Sequence, residues 1–146
     1  MIKNMTNICT NHAIHLALLT GSMACAATPL HAADRLTAGR YEFTATTNGN
    51  IRTSTQCFTA DDAKAVNADA KAGRDYAEKA AKGACTITTY DVTGDTVSYT
   101  MACGESVTTT SATYHGDSFE SDATTTVGKT TARATHTTGK RAGICK

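Results

Sequence analysis

"CTITTYDVTGDTVSYTMAC", residues 85–103, decides the fold. Its second half spaces Val97, Tyr99, Met101 and Cys103 two residues apart, so all four share one face of an extended strand. Its first half is rich in threonine, isoleucine and valine, whose branching at Cβ suits a pleated strand. Gly94 and Asp95 separate the halves, and a glycine-led pair between two alternating runs predicts a hairpin. A lone hairpin is marginal in water, so the flanking sequence must supply more sheet.

It does so in both directions. Downstream, "SVTTTSATYH", a turn at Gly116 and Asp117, "SFESDATTTV", a turn at Gly128 and Lys129, and "KTTARATHTT" continue the strand pattern. Upstream, "RYEFTATT" alternates Tyr41, Phe43 and Ala45 against Glu42 and Thr44, and "NGN" turns it into "IRTSTQC". Between the second and third strands, "TADDAKAVNADAKAGRDYAEKAAKG" changes to helical character. Thr59 caps it, Asp61 and Asp62 favour its first turn, Gly73 is expected to divide it into two short helices, and Gly83 ends it. Its apolar face is confined to Ala63, Val66, Tyr76, Ala77 and Ala80, so it should lie on the sheet surface without supplying a core. The expected fold is mainly β: an antiparallel meander of about seven strands, curled into a sheet or half-open barrel, with a short helical insertion after strand 2.

Such a sheet has little to bury. Aromatic residues make up 5% of the 146 residues and tryptophan is absent, so covalent staples must reinforce a thin core. The chain has six cysteines. Residues 1–32 read as a signal peptide: Lys3, then the apolar run "AIHLALLTGSMACAA", then a cut after Ala32 or Ala33. The run is too short for a membrane span. "SMAC" raises a lipid anchor at Cys25, although Ser22 stands where such signals favour leucine. Removing the leader leaves residues 33–146 as a single disulfide-stapled β domain with Cys57, Cys85, Cys103 and Cys145. An even number in an exported chain points to two disulfides. Three pairings are open. Cys57 with Cys85, clipping the helices, and Cys103 with Cys145, clipping the last strands, are favoured. The "GKRAGIC" ending then pins a final segment too poor in apolar residues to hold itself.

Composition and motifs exclude much. A formal net charge of +1, with no basic face, argues against nucleic acid. No CxxC pair, HExxH, P-loop, Gly-rich nucleotide loop or GxSxG elbow occurs, so no catalytic, cofactor-binding or metal residue is assigned and the protein is read as a non-enzyme. His115, close to Asp117 and Glu120, invites a metal or acid–base reading; its position before a Gly-Asp turn makes a surface histidine the simpler one. Met101 with Cys103 suggests soft copper ligands, against the simpler alternative of a core methionine and a disulfide cysteine. The "TTT" runs suit solvent-facing sheet, and their irregular spacing does not fit an ice-binding array. Tyr114, His115, Lys140 and Arg141 remain candidate interaction residues, the basic pair for an anionic headgroup or partner.

Five segments in order, "GRYE", "CFTADDA", "GDTVSYTMAC", "YHGDSFES" and "GKRAGIC", resemble a domain-of-unknown-function family, DUF3617, of small secreted proteobacterial proteins. The resemblance implies a leader, four cysteines in this order and an exported β-rich protein, and carries no established activity. Two departures stand out: members often have tryptophan where Tyr41 and Tyr99 stand, and many carry a methionine- and proline-rich loop where this chain has only "TTNGN". A metal or ligand role tied to that loop does not transfer here.

The reading is therefore a periplasmic or secreted binding module for a small apolar ligand or another envelope protein. The alternative is an inhibitor of an envelope-directed enzyme such as lysozyme.

Overall fold

The computed structural model describes residues 34–146, the side chains of Thr131 and Ala132 excepted. The expected leader and Cys25 lie outside the described residues. Strands β1 (Gly39–Thr47) and β2 (Asn50–Phe58) are followed by helices α1 (Ala60–Asn67) and α2 (Ala70–Ala81). Then come β3 (Thr86–Thr93), β4 (Thr96–Cys103), β5 (Ser106–Tyr114), β6 (Ser118–Val127) and β7 (Thr130–Gly143). All seven strands join one antiparallel sheet in the order β2-β1-β7-β6-β5-β4-β3. Strands β3 to β7 form the expected meander, and the β1–β2 hairpin adds beyond β7. The sheet stays unclosed: β2 and β3 are its edges, and the two helices connect them.

Turn chemistry sets the register. Asn48 and Gly49 both take positive φ, 48° and 80°, the requirement of a two-residue type I′ hairpin loop, so β1 and β2 pair without slip from Thr47 opposite Asn50 to Gly39 opposite Phe58. Strand β7 runs well past the expected "KTTARATHTT". It continues through "GKRAG" to pair with both β1 and β6, so the segment expected to need pinning lies inside the sheet.

The helices break where capping chemistry dictates. The Thr59 side chain accepts from the Asp62 N–H while Asp62 accepts from the Thr59 N–H at 2.7 Å, a reciprocal box that starts α1. The division between helices falls at Ala68 and Asp69, not at Gly73 as expected: the Asp69 side chain accepts from the Ala72 N–H at 2.8 Å and begins α2. Gly73 sits buried inside α2 for a steric reason. A Cβ there would stand 2.5 Å from the Tyr90 hydroxyl oxygen, so glycine lets the helix press onto β3. The helices also give more to the core than expected, because Ala63 is buried and Val66 packs on the central cluster.

That cluster is aromatic and lies at one end of the sheet. Leu36, Tyr41 and Phe119 are buried, with Phe43, Phe58, Val66 and Tyr114 against them. The segment before β1 is drawn in by polar contacts that the sequence does not advertise. Asn67 hydrogen-bonds both the N–H and the carbonyl of Leu36, at 2.8 and 2.9 Å, and Arg35 donates to the carbonyls of Val66, Ala68 and Gly94. Arg35 thereby occupies the carbonyls that the end of α1 leaves unpaired.

The disulfides correct the favoured pairing. Cys57 is bonded to Cys145 and Cys85 to Cys103, not Cys57 to Cys85 and Cys103 to Cys145. The reason lies in register. From Thr93 opposite Thr96 to Thr89 opposite Thr100 the hairpin is regular, but a bulge between Ile87 and Thr89 shifts it by one, so that Thr86 faces Ala102. That single extra residue brings Cys85 opposite Cys103, with Cα atoms 4.4 Å apart. At the other end, β7 passes the start of β1, and the tail crosses to β2 to place Cys145 beside Cys57, Cα atoms 5.6 Å apart.

Candidate functional site

The two faces of the sheet differ. Alternation sends Thr108, Thr110, Ala123, Thr125, Thr135 and Thr137 to the face that carries the aromatic cluster, and every one is half-buried. Their neighbours on the opposite face, Val107, Thr109, Asp122, Thr124, His136 and Thr138, are all exposed. A flat sheet bare on both sides would expose both alike; the asymmetry means that the sheet curls toward the cluster side. The rings agree. Phe58 on β2 and Phe119 on β6 are three strands apart, roughly 14 Å on a flat sheet, yet their centroids lie 6.1 Å apart.

This inner face has two halves. One is filled by the aromatic cluster and by the helices, which pack on the edge strands β3 and β2. The other runs from Tyr99 and Met101 on β4 across Thr110, Ala123 and Thr137 to Ala45 on β1; among the described residues the helices pack chiefly on β3 and β2 instead, and at the β4 end the Tyr90 ring stacks on Tyr99 with centroids 6.1 Å apart. Its polar groups are partly self-satisfied, with Thr47 paired to Thr135 at 2.8 Å and Thr108 to Thr125 at 2.9 Å through their hydroxyls. What remains is a band of half-buried alanine and threonine side chains with one thioether and one phenol ring, in which Thr110 and Thr137 keep their hydroxyls unpaired among the described residues. On the outer face, Thr96 with Thr113, Ser98 with Ser111 and Thr100 with Thr109 form hydroxyl rungs across β4 and β5, the use to which the sheet puts its threonines there.

The four candidate interaction residues do not converge. His115 and Lys140 are exposed and line an outer-face cavity of about 480 Å³ together with Glu42 and Glu120. Arg141 is partly buried: its Nε donates to the Ala38 carbonyl at 2.9 Å and lies 3.9 Å from Asp117 Oδ1, so it fastens the start of β1 to β7. Tyr114 packs against Phe119 with centroids 5.7 Å apart. His136 pairs with Asp122 directly across β6 and β7 at 2.8 Å. Cys103 is held in its disulfide, which removes the thiolate that the copper reading needs, and Met101 faces Ile87 on the inner side.

Burial pushes the Tyr114 phenol up to about 12, with Tyr99 and Tyr90 adding to the rise and Arg35 opposing it. A raised phenol favours the folded state in its neutral form. The contribution is whole below the unfolded value near 10 and is lost as pH climbs through about 12. Urea midpoints should therefore stay level to about pH 10 and fall above it. Tyr114→Phe should fall less steeply, and identical slopes for the two proteins would contradict this account.

Sequence reasoning did not single out Arg52 and Arg133. Both sit on the inward parity of their strands, Arg52 in step with Ser54 and Phe58, Arg133 in step with Thr135 and Gly139. The same parity also carries Asn50 and Gln56 on β2 and Arg141 on β7, so alternation alone did not set these two arginines apart.

A disulfide-bonded β protein with a curled, unclosed sheet and an uncovered inner half-face is the class that these features define. Residues 36–145 match the model of a family described as a protein of unknown function, DUF3617, and the chain belongs to that family. No curated protein and no solved structure matches it. Among the described residues no helix is long and apolar enough to cross a membrane.

Proposed function

We propose that the protein is a non-catalytic binding module that works outside the cytoplasm, in the periplasm or after secretion, and takes a small, largely apolar ligand on the inner face of its sheet. The supporting observation is the half-buried, uncovered band from Met101 and Tyr99 through Ala123 to Ala45. A concave, mostly apolar surface with few polar groups is the usual form of a small-molecule site. Two disulfides in a chain with so small a core suit an oxidising compartment. No observation favours lysozyme inhibition over this reading.

A neutral fluorescent apolar probe such as Nile red tests it. Saturable, one-site enhancement is expected, abolished by Ala123→Trp, which fills the inner face, and kept by Thr124→Trp, which points outward. The reading fails if enhancement is absent, does not saturate, or responds equally to both substitutions.

A further inference from the structure

The chain has six arginines, and four are committed to its own structure. Arg35 holds the carbonyls of Val66, Ala68 and Gly94; Arg40 reaches the Ala142 carbonyl; Arg74 binds Glu78 and the Ile87 carbonyl; Arg141 binds the Ala38 carbonyl. Among the described residues the side chains of the other two, Arg52 and Arg133, make no hydrogen bond or ion pair. They line one cavity of about 400 Å³ together with Ala45, Thr47, Asn48 and Asn50. No carboxylate lines it.

We propose that Arg52 and Arg133 form an oxyanion site that grips the acidic headgroup, carboxylate or phosphate, of an amphipathic ligand whose apolar body lies along the inner face. The proposal deepens the reading of the inner face as a ligand surface and rests on it. Both arginines are exposed and neither guanidinium can shed its proton, so an anion seated in the shared cavity meets two fixed positive charges. The planar fork of each presents paired N–H donors matched to carboxylate or phosphate oxygens. Both are placed by the sheet: Arg52 pairs with Ala45 three residues past Gly49 of the turn, and Arg133 pairs with Thr125. Asn48 and Asn50 add neutral side-chain amides at the rim.

The surroundings select an amphiphile over a bare anion. From Ala45 on β1 the inner face continues over β7, β6 and β5 to Met101 on β4, four strand spacings or roughly 19 Å along the sheet. Ala45 and Thr47 belong both to this face and to the lining of the charged cavity, and the hydroxyls of Thr47 and Thr135 satisfy one another at their junction. Head and body sites are continuous.

Titration calorimetry on oxidised protein, exported and purified from cells that express the full chain, tests the assignment. The probes are laurate, dodecyl phosphate, dodecanol and inorganic phosphate. Laurate or dodecyl phosphate should bind about 10- to 100-fold more tightly than dodecanol, the range of a charge-assisted contact, and inorganic phosphate far more weakly than either acid. The better of the two acids identifies the headgroup. In the Arg52→Gln, Arg133→Gln protein the acid and the alcohol should bind alike, with Tm unchanged because neither arginine supports the fold. Equal binding of acid and alcohol by the natural protein overturns the oxyanion site and leaves the apolar face standing. Binding of inorganic phosphate as tightly as the acids overturns the amphiphile assignment. Binding of none of the four overturns both this proposal and the reading beneath it.

Discussion

Cys145→Ser is expected to be the most damaging single change at a cysteine, lowering unfolding free energy by about 4.6 kcal/mol, against about 3.2 kcal/mol for Cys103→Ser. The difference comes from loop length. The Cys57–Cys145 bond spans a sequence separation of 88 residues and the Cys85–Cys103 bond 18, and chain-entropy arithmetic favours the longer closure. The longer bond also joins the carboxyl-terminal tail to the outermost strand β2, every residue of which is exposed except Phe58. Without it, the pairing with β1, the contacts of Phe58 and the packing of α1 alone hold that edge. A domain of this size has roughly 5 to 15 kcal/mol in all, so the Cys145→Ser protein should unfold at a much lower urea midpoint. Urea curves of the natural protein and both variants check the order; a greater loss from Cys103→Ser would overturn it. Peptide mapping of the oxidised protein supplies an independent check, and recovery of a Cys57–Cys85 peptide would contradict the register derived for β3 and β4.

The disulfide pairing shows where the sequence was legible and where it was not. All seven strands follow from alternation and glycine-led turns, because both signals are local. Their lateral order does not follow. The pairing of β1 with β7 depends on contacts about a hundred residues apart, and nothing in "RYEFTATT" names "THTTGKRAG" as its neighbour. The cysteine pairing inherits that uncertainty at Cys145. At Cys85 it hinges on one bulge, where Thr88 turns its hydroxyl onto the Thr100 carbonyl at 3.2 Å, and no residue type marks a bulge there. The helix break was misplaced for the opposite reason. Gly73 carries a strong local signal for a helix end, and the Tyr90 ring against it outweighs that signal. Of the inner face, the small residues were visible as alternation. The convergence of Arg52 with Arg133 needed the sheet order, since one precedes the helices and the other lies in the last strand.

Gly139→Ala should cost about 3 to 5 kcal/mol, as much as removing a core phenylalanine. Gly139 lies in β7 between Phe43 on β1 and Phe119 on β6, each directly opposite it across the sheet. The absence of a side chain lets the Phe119 ring lie over the backbone: a Cβ at residue 139 would overlap Phe119 Cε1 and stand 2.5 Å from Cζ. Glycine normally weakens a strand, and here an aromatic neighbour covers it. The ring cannot move cheaply, because it also touches Tyr41, Phe43, Phe58 and Tyr114, at centroid separations from 5.4 to 6.2 Å. Displacing it opens the only aromatic cluster that the described residues form around Leu36. Destabilisation alone would not prove this arrangement, since alanine could disturb β7 in other ways. A double-mutant cycle separates the cases. If the added methyl acts by evicting the ring, Phe119→Ala together with Gly139→Ala should be little worse than Phe119→Ala alone, the methyl then occupying vacated space. Costs that simply add would place the Phe119 ring away from Gly139 and remove the packing on which the curl of the sheet is built.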